Sequence, residues 1–140
     1  MYKLLIITFA VAALTLTGCQ FYPSKQLLKT DKGQVELRQI QSRAFETTDS
    51  PKTLRTIITT LQDLGFVINN ADSTVGTVTG TKLKGYNLVM TVSVYPKGEK
   101  QLIVRASAQY NINAVTDPKP YQDFFAALSK AMFLEAQQVD

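Results

Sequence analysis

The 140-residue sequence has no histidine, no tryptophan and a single cysteine. Without histidine there is no imidazole to serve as a general base near neutral pH, and none to complete a Ser-His-Asp constellation. One cysteine cannot close an internal disulfide, and the usual nitrogen and sulfur ligands of zinc and haem are missing. The fold is therefore expected to rest on its apolar core alone, with no metal and no cofactor. Basic residues are scattered singly, for a formal net charge of +4. That pattern reads as a solvated face and lacks the basic stripe of a nucleic-acid surface. The acids Asp63, Asp72, Asp117, Asp123 and Glu135 are dispersed, and several have capping or turn positions of their own. The chain reads as a non-enzyme; a converging carboxylate pair of the glycosidase kind is the catalytic alternative.

Long hydrophobic runs are also scarce. One exists, at residues 4–16, behind the lone Lys3, and it ends in Leu16-Thr17-Gly18-Cys19. It is shorter than the roughly 20 apolar residues of an ordinary membrane-spanning helix. Leu three positions before the cysteine and Gly directly before it form the pattern of a bacterial lipobox. Residues 1–18 are thus expected to be a signal peptide cut between Gly18 and Cys19, with lipid added to Cys19. An uncleaved anchor helix with an incidental cysteine is the alternative. Two or more acyl chains hold a protein stably on a membrane, so the membrane is the first expected partner. Gln20, rather than Asp, follows the cysteine. By the enterobacterial sorting rule this points to the outer membrane, with the domain facing the periplasm; the inner membrane is the alternative.

Residues 19–34 carry Pro23, Ser24, Gly33 and several lysines without a sustained period, and read as a flexible tether. Its r.m.s. span would be roughly 20 Å and its stretched reach about 50 Å. Phe21, Tyr22, Leu27 and Leu28 would alternatively dock on the domain or dip into the lipid interface. One domain is expected over residues 35–138. Residues 35–47 read as a first strand with imperfect alternation, at an edge or with a bulge. A helix follows, with Ser50 as N-cap, Pro51 at its first position, and Leu54, Ile57, Ile58, Leu61 and Leu64 at helical spacing before Gly65.

Residues 66–70 and 74–84 read as a hairpin around a turn at 70–73. Gly76 and Gly80 would share one strand face, where another element approaches closely. A phosphate-binding loop is the alternative, but the lysine, spacing and strand–helix context of a P-loop are lacking. A turn at 85–87 leads to strands at 88–95 and 102–110, joined by a hairpin turn at 96–99. Leu88, Met90, Val92 and Val94 fall on one face, as do Leu102, Val104, Ala106, Ala108 and Tyr110. Ile103, Arg105, Ser107 and Gln109 form an opposite, wetter face, as in an antiparallel sheet covered on one side. After a connection at 111–116, Asp117 can cap a final helix that has Pro118 and Pro120 in its first turn. Tyr121, Phe124, Phe125, Leu128, Met132 and Glu135 share one stripe of it, and Phe133 falls outside.

The expected fold class is α+β: a two-layer sandwich of about five antiparallel strands with two helices on one face, ordered β-α-β-β-β-β-α. The order also permits a helix-grip arrangement, with a curved sheet around the last helix. The strand–helix–hairpin unit SPKTLRTIITTLQDLGFVINNADSTVGTVTG, behind a lipobox and a polar segment, resembles the domains of BamC (NlpB), the lipoprotein of the outer-membrane β-barrel assembly machine. Leu64-Gly65-Phe66, Asp72 and Gly76 carry the likeness, with RQIQSRAFETTDS and YQDFFAALSKAMFLEAQQ similar to small envelope lipoproteins of unassigned role. The resemblance implies a fold and an envelope location, and it carries over no functional residue.

The expected function is that of a lipid-anchored accessory or structural subunit of an envelope assembly, with a protein partner. Arg38, Arg43, Ile103, Arg105 and Phe133 are the candidate interaction surface. Arg38 and Arg43 are five apart, on opposite faces of a regular strand, and would form one patch only across a bulge. The alternative is a binding module for a lipid or small amphipathic ligand, held between the sheet and the helix at 124–132. There, aromatics facing Gly76, Gly80, Ala106 and Ala108 would either leave a cavity or interlock. Metabolic labelling with an alkyne palmitate tests the anchor: label is expected on the full-length protein and absent from Cys19→Ala.

Overall fold

The computed structural model describes residues 25–83 and 87–137, with side chains from Gly33 onward. The expected signal peptide, the Gly18–Cys19 cleavage and lipidation site, and the Gly85-Tyr86 part of the expected turn lie outside the described residues. In chain order the elements are helix α1 (Lys25–Gln41), strand β1 (Ser42–Phe45), helix α2 (Ser50–Asp63), strands β2 (Val67–Asp72), β3 (Thr77–Lys82), β4 (Leu88–Lys97), β5 (Gln101–Tyr110) and β6 (Asn113–Ala114), and helix α3 (Lys119–Gln137). The fold is α+β. Its antiparallel sheet runs β1-β5-β4-β3-β2, and β6 pairs with β5.

Period-2 patterning builds the core. In β4 and β5 every second residue is buried, from Leu88 to Val94 and from Leu102 to Ala108. Register matches large side chains with small ones, Met90 opposite Ala108 and Val92 opposite Ala106. Gly80 lies opposite Met90. A Cβ at Gly80 would stand 3.2 Å from the Phe66 Cβ and 3.3 Å from the Val67 carbonyl, so close approach is its role, as expected. Helix α3 brings Tyr121, Phe124, Phe125 and Leu128 into the same core, and α2 brings Leu54, Ile57 and Leu61. Thr53, Thr56 and Thr60 of α2 are buried too. Each of their hydroxyls reaches the carbonyl four residues back, at 2.8, 3.0 and 2.8 Å, so the polar atoms enter the interior already partnered.

The ends of α2 follow local rules. Asp49, not Ser50, is the N-cap: its Oδ1 accepts from the Lys52 N–H at 2.9 Å, and Pro51 sits inside the first turn. At the other end Gly65 adopts φ +87°. The Phe66 N–H donates to Leu61 O and the Gly65 N–H to Gln62 O, both at 2.9 Å, which completes a Schellman motif. Phe66 and Leu61, both buried, supply its accompanying apolar contact.

Helix α1 corrects the reading of residues 25–41. The segment KQLLKTDKGQVELRQIQ is helical where a tether and the first half of a strand were expected, and β1 is confined to four residues. Lys, Gln, Leu, Glu and Arg are strong helix formers, against which Gly33 costs only about 1 kcal/mol. Leu37, Ile40 and Gln41, spaced i, i+3, i+4, turn toward the interior: the first two pack on the core and Gln41 is buried. That spacing outweighs the partial alternation of Val35 and Leu37. The compact unit accordingly starts at Lys32. With α1 and β6, the described residues hold three helices and six strands rather than two and five.

Two turns also differ. The hairpin between β4 and β5 turns at Gly98-Glu99-Lys100, with Pro96 still paired opposite Leu102. Gly76 lies in the β2–β3 turn, not on a strand face with Gly80. Asp72 Oδ1 accepts from the N–H groups of Thr74 and Val75 there. Gly76 takes φ +76°, and a Cβ on it would sit 2.7 Å from the Val94 carbonyl oxygen.

Strand β5 has an interrupted outer edge. β1 covers it from Leu102 to Arg105, and β6 covers only Gln109 and Tyr110. Between them, the Val115 N–H donates to Ala108 O at 2.9 Å. The Tyr121 hydroxyl accepts from the Ala108 N–H at 3.2 Å, accepts from Gln41 Nε2 at 3.3 Å and donates to Val115 O at 2.7 Å. Tyr121 is fully buried, so no water substitutes for these bonds. Tyr121→Phe is expected to lower stability by about 2 kcal/mol, read as a reduced urea midpoint at unchanged slope.

Candidate functional site

Strand β1 is short, and its two faces lead to different surfaces. Pairing of Arg43 with Val104 and of Phe45 with Leu102 places both on the core side of the sheet. The Arg43 guanidinium carbon stands 5.1 Å from the centroid of the Phe125 ring, a cation–π arrangement at the edge of the core. Phe125 itself meets Phe124 edge-on, at 5.1 Å and 62°.

Beyond Arg43 and Phe45 the C-terminal half of α3 passes, and a groove of about 680 Å³ opens between them. Arg43, Phe45, Lys52, Met132, Phe133 and Glu135 are among the residues lining it. Glu135 Oε2 stands 2.7 Å from the Thr56 hydroxyl, whose one hydrogen it shares with Lys52 O, and this ties the far end of α3 to α2. Met132 is partly buried against the core. The next two side chains turn outward: Phe133 is 64% exposed and Leu134 52%. A helix that buries Tyr121, Phe124, Phe125 and Leu128 thus ends with large apolar groups in water.

The candidate residues divide among three places. Arg43 and Phe133 come together in the groove. Ile103 and Arg105 lie on the opposite sheet face, paired with Ala44 and Ser42. Arg38 is exposed in the last turn of α1, where its charge complements the helix dipole. Arg38 and Arg43 are therefore on different elements, not on two faces of one strand. The face around Arg105 is polar: Thr79 and Thr91 hydroxyls meet at 3.1 Å, and the Thr81 hydroxyl donates to Asn69 Oδ1 at 2.6 Å. These threonine hydroxyls find partners on the face itself.

Between the sheet and α3, where a ligand was the alternative, Phe124, Phe125 and Leu128 are buried together with Met90, Val92 and Ala106. Large rings interlock there with small residues. At the start of α3, Asp117 Oδ1 accepts from the Lys119 N–H at 2.9 Å, as expected of a cap. Lys119 Nζ donates to Asp123 Oδ2 at 2.7 Å, and this bond and the aspartate charge raise the lysine pKa. The pair is fully solvated. Its small stabilising effect is present at neutral pH and disappears as pH rises through the lysine range.

Among the described residues no group of three or more acids or cysteines could hold a metal ion. No described helix is long and apolar enough to cross a membrane. No protein-family model matches the chain, and neither does any curated protein. The groove was half legible in the sequence. Phe133 stood out as the aromatic that breaks the α3 stripe, whereas its pairing with Phe45 and Lys52 arises only once β1 and α2 are placed in space.

Proposed function

We propose that this chain is a non-catalytic, lipid-anchored envelope protein that docks a polypeptide partner in the groove between β1 and the end of α3. The observation that carries this reading is the exposed ring of Phe133, which lines that groove, with the exposed Leu134 next to it in the helix. Burying such side chains contributes about 1.5–3 kcal/mol each, enough to make them the energetic centre of an interface. The groove offers both charge signs, Arg43 and Lys52 beside Glu46 and Glu135. Mixed charge around an apolar floor complements a polypeptide better than it does a uniformly anionic lipid surface.

The anchor in this reading is the lipidated Cys19, and Gln20 after it favours the outer membrane with the domain facing the periplasm. The two-layer arrangement, with helices over one sheet face as in the domains of BamC, belongs to the same proposal. It is supported by the strictly alternating burial of β4 and β5, whose outer face carries hydroxyls and Arg105. Membership of an envelope assembly follows from the same combination of anchor, exposed apolar groups and absent catalytic constellation.

Site-specific photo-crosslinking tests the proposal. Benzoylphenylalanine at Phe133 is expected to give one discrete protein adduct in intact envelopes, lost on Cys19→Ala. The same probe at Gln109, on the opposite face, should give none. Phe133→Ser should abolish capture of that protein while shifting stability by no more than about 0.5 kcal/mol, because the ring is outside the core. The same diffuse adducts from both positions would sink the reading.

A further inference from the structure

A second concavity lies at the other end of the sheet, where β4 begins and β5 finishes. It measures about 300 Å³, and Phe66, Leu88 and Pro120 supply apolar wall while Lys82, Lys119, Asp117 and Asp123 supply charge of both signs. These residues come from the end of α2, the end of β3, the start of β4 and the start of α3, so folding alone assembles them. The volume is at the lower limit of ligand pockets, which suits a small molecule rather than a two-chain lipid.

The two lysines are not equivalent. Lys119 is committed to Asp123. Lys82 is half-buried and, among the described residues, forms no ion pair. Its ammonium instead stands 5.8 Å from the centroid of the Phe66 ring. Its Cε lies 3.7 Å from where a Gly65 Cβ would be, so the stem runs along the end of α2. Asp117 accepts from the α3 backbone and Asp123 from Lys119, and among the described residues Lys82 is the ammonium of the cleft outside any ion pair. An ammonium held over an aromatic ring beside an apolar wall complements a molecule that is anionic at one end and apolar at the other.

We infer that this cleft binds a small amphipathic anion, its acidic head on Lys82 and its apolar body against Phe66, Leu88 and Pro120. The site is independent of the partner groove, which lies at the opposite end of β5, where β1 pairs.

The test is calorimetric titration of the full-length chain in nanodiscs, with empty discs subtracted. 4-Phenylbutyrate is the probe, 4-phenylbutanamide its uncharged counterpart, and inorganic phosphate a head without a body. Saturable binding of the acid is expected, about tenfold tighter than the amide, with none for phosphate. Lys82→Gln should bring the acid down to the amide's affinity without moving the unfolding midpoint, and Lys82→Arg should restore it. Equal affinity for acid and amide overturns the inference. So does an unchanged acid affinity in Lys82→Gln, phosphate binding as tight as the acid's, or no saturable signal above empty discs.

Discussion

Two short strands, β1 and β6, cover the outer edge of β5 without meeting, and the Tyr121 hydroxyl fills the interval between them. A hydroxyl has one hydrogen and two lone pairs, and all three are used here, on Val115 O, the Ala108 N–H and Gln41 Nε2. One buried oxygen thereby joins the last residue of α1, the C-terminal part of β5, the exit from β6 and the first turns of α3. The chain has no disulfide to do this work, and in a dry interior an unpaired strand amide costs more than a made hydrogen bond returns. Gln41 directly precedes β1, so the bond that holds it also fixes where Arg43 and Phe45 enter the groove.

The rest of the architecture follows from that edge. Core side chains fill the space inside the sheet; apolar groups meet solvent at both ends of the domain, and at Val67 and Tyr95 on the outer sheet face. One end exposes Phe133 beside the Arg43 wall, a broad surface with both charge signs. The other holds a smaller cleft where Lys82, among the described residues, forms no ion pair. The first suits a polypeptide; an ammonium held beside an apolar wall suits a small amphipathic anion.

Much of this was visible in the residues. Strict alternation in β4 and β5, the aromatic stripe of α3, and Gly65 after the leucine and isoleucine positions of α2 each have one structural solution. Residues 35–41 had two. Val35 and Leu37 imitate a strand, while Leu37, Ile40 and Gln41 mark a helix face, and the helix prevails because only it buries all three together. Thr53, Thr56 and Thr60 look polar in the sequence, yet they enter the core because each hydroxyl is answered within its own helix. Strand β6, two residues long, carries too little pattern to be read at all. The candidate surface was legible residue by residue but not as a set. Arg43 and Phe133 share a groove, and Ile103 and Arg105 a different face, because the register of four residues in β1 decides which side chain faces which way.

Hydrogen exchange by NMR on the full-length chain, wild type against Tyr121→Phe, tests this account most directly. Loss of the hydroxyl is predicted to speed exchange at Ala108 and across Ile40–Phe45 well beyond any change in β3, because the edge and the groove wall open together. Equal acceleration throughout the sheet, or an unchanged Ala108 amide, would contradict it.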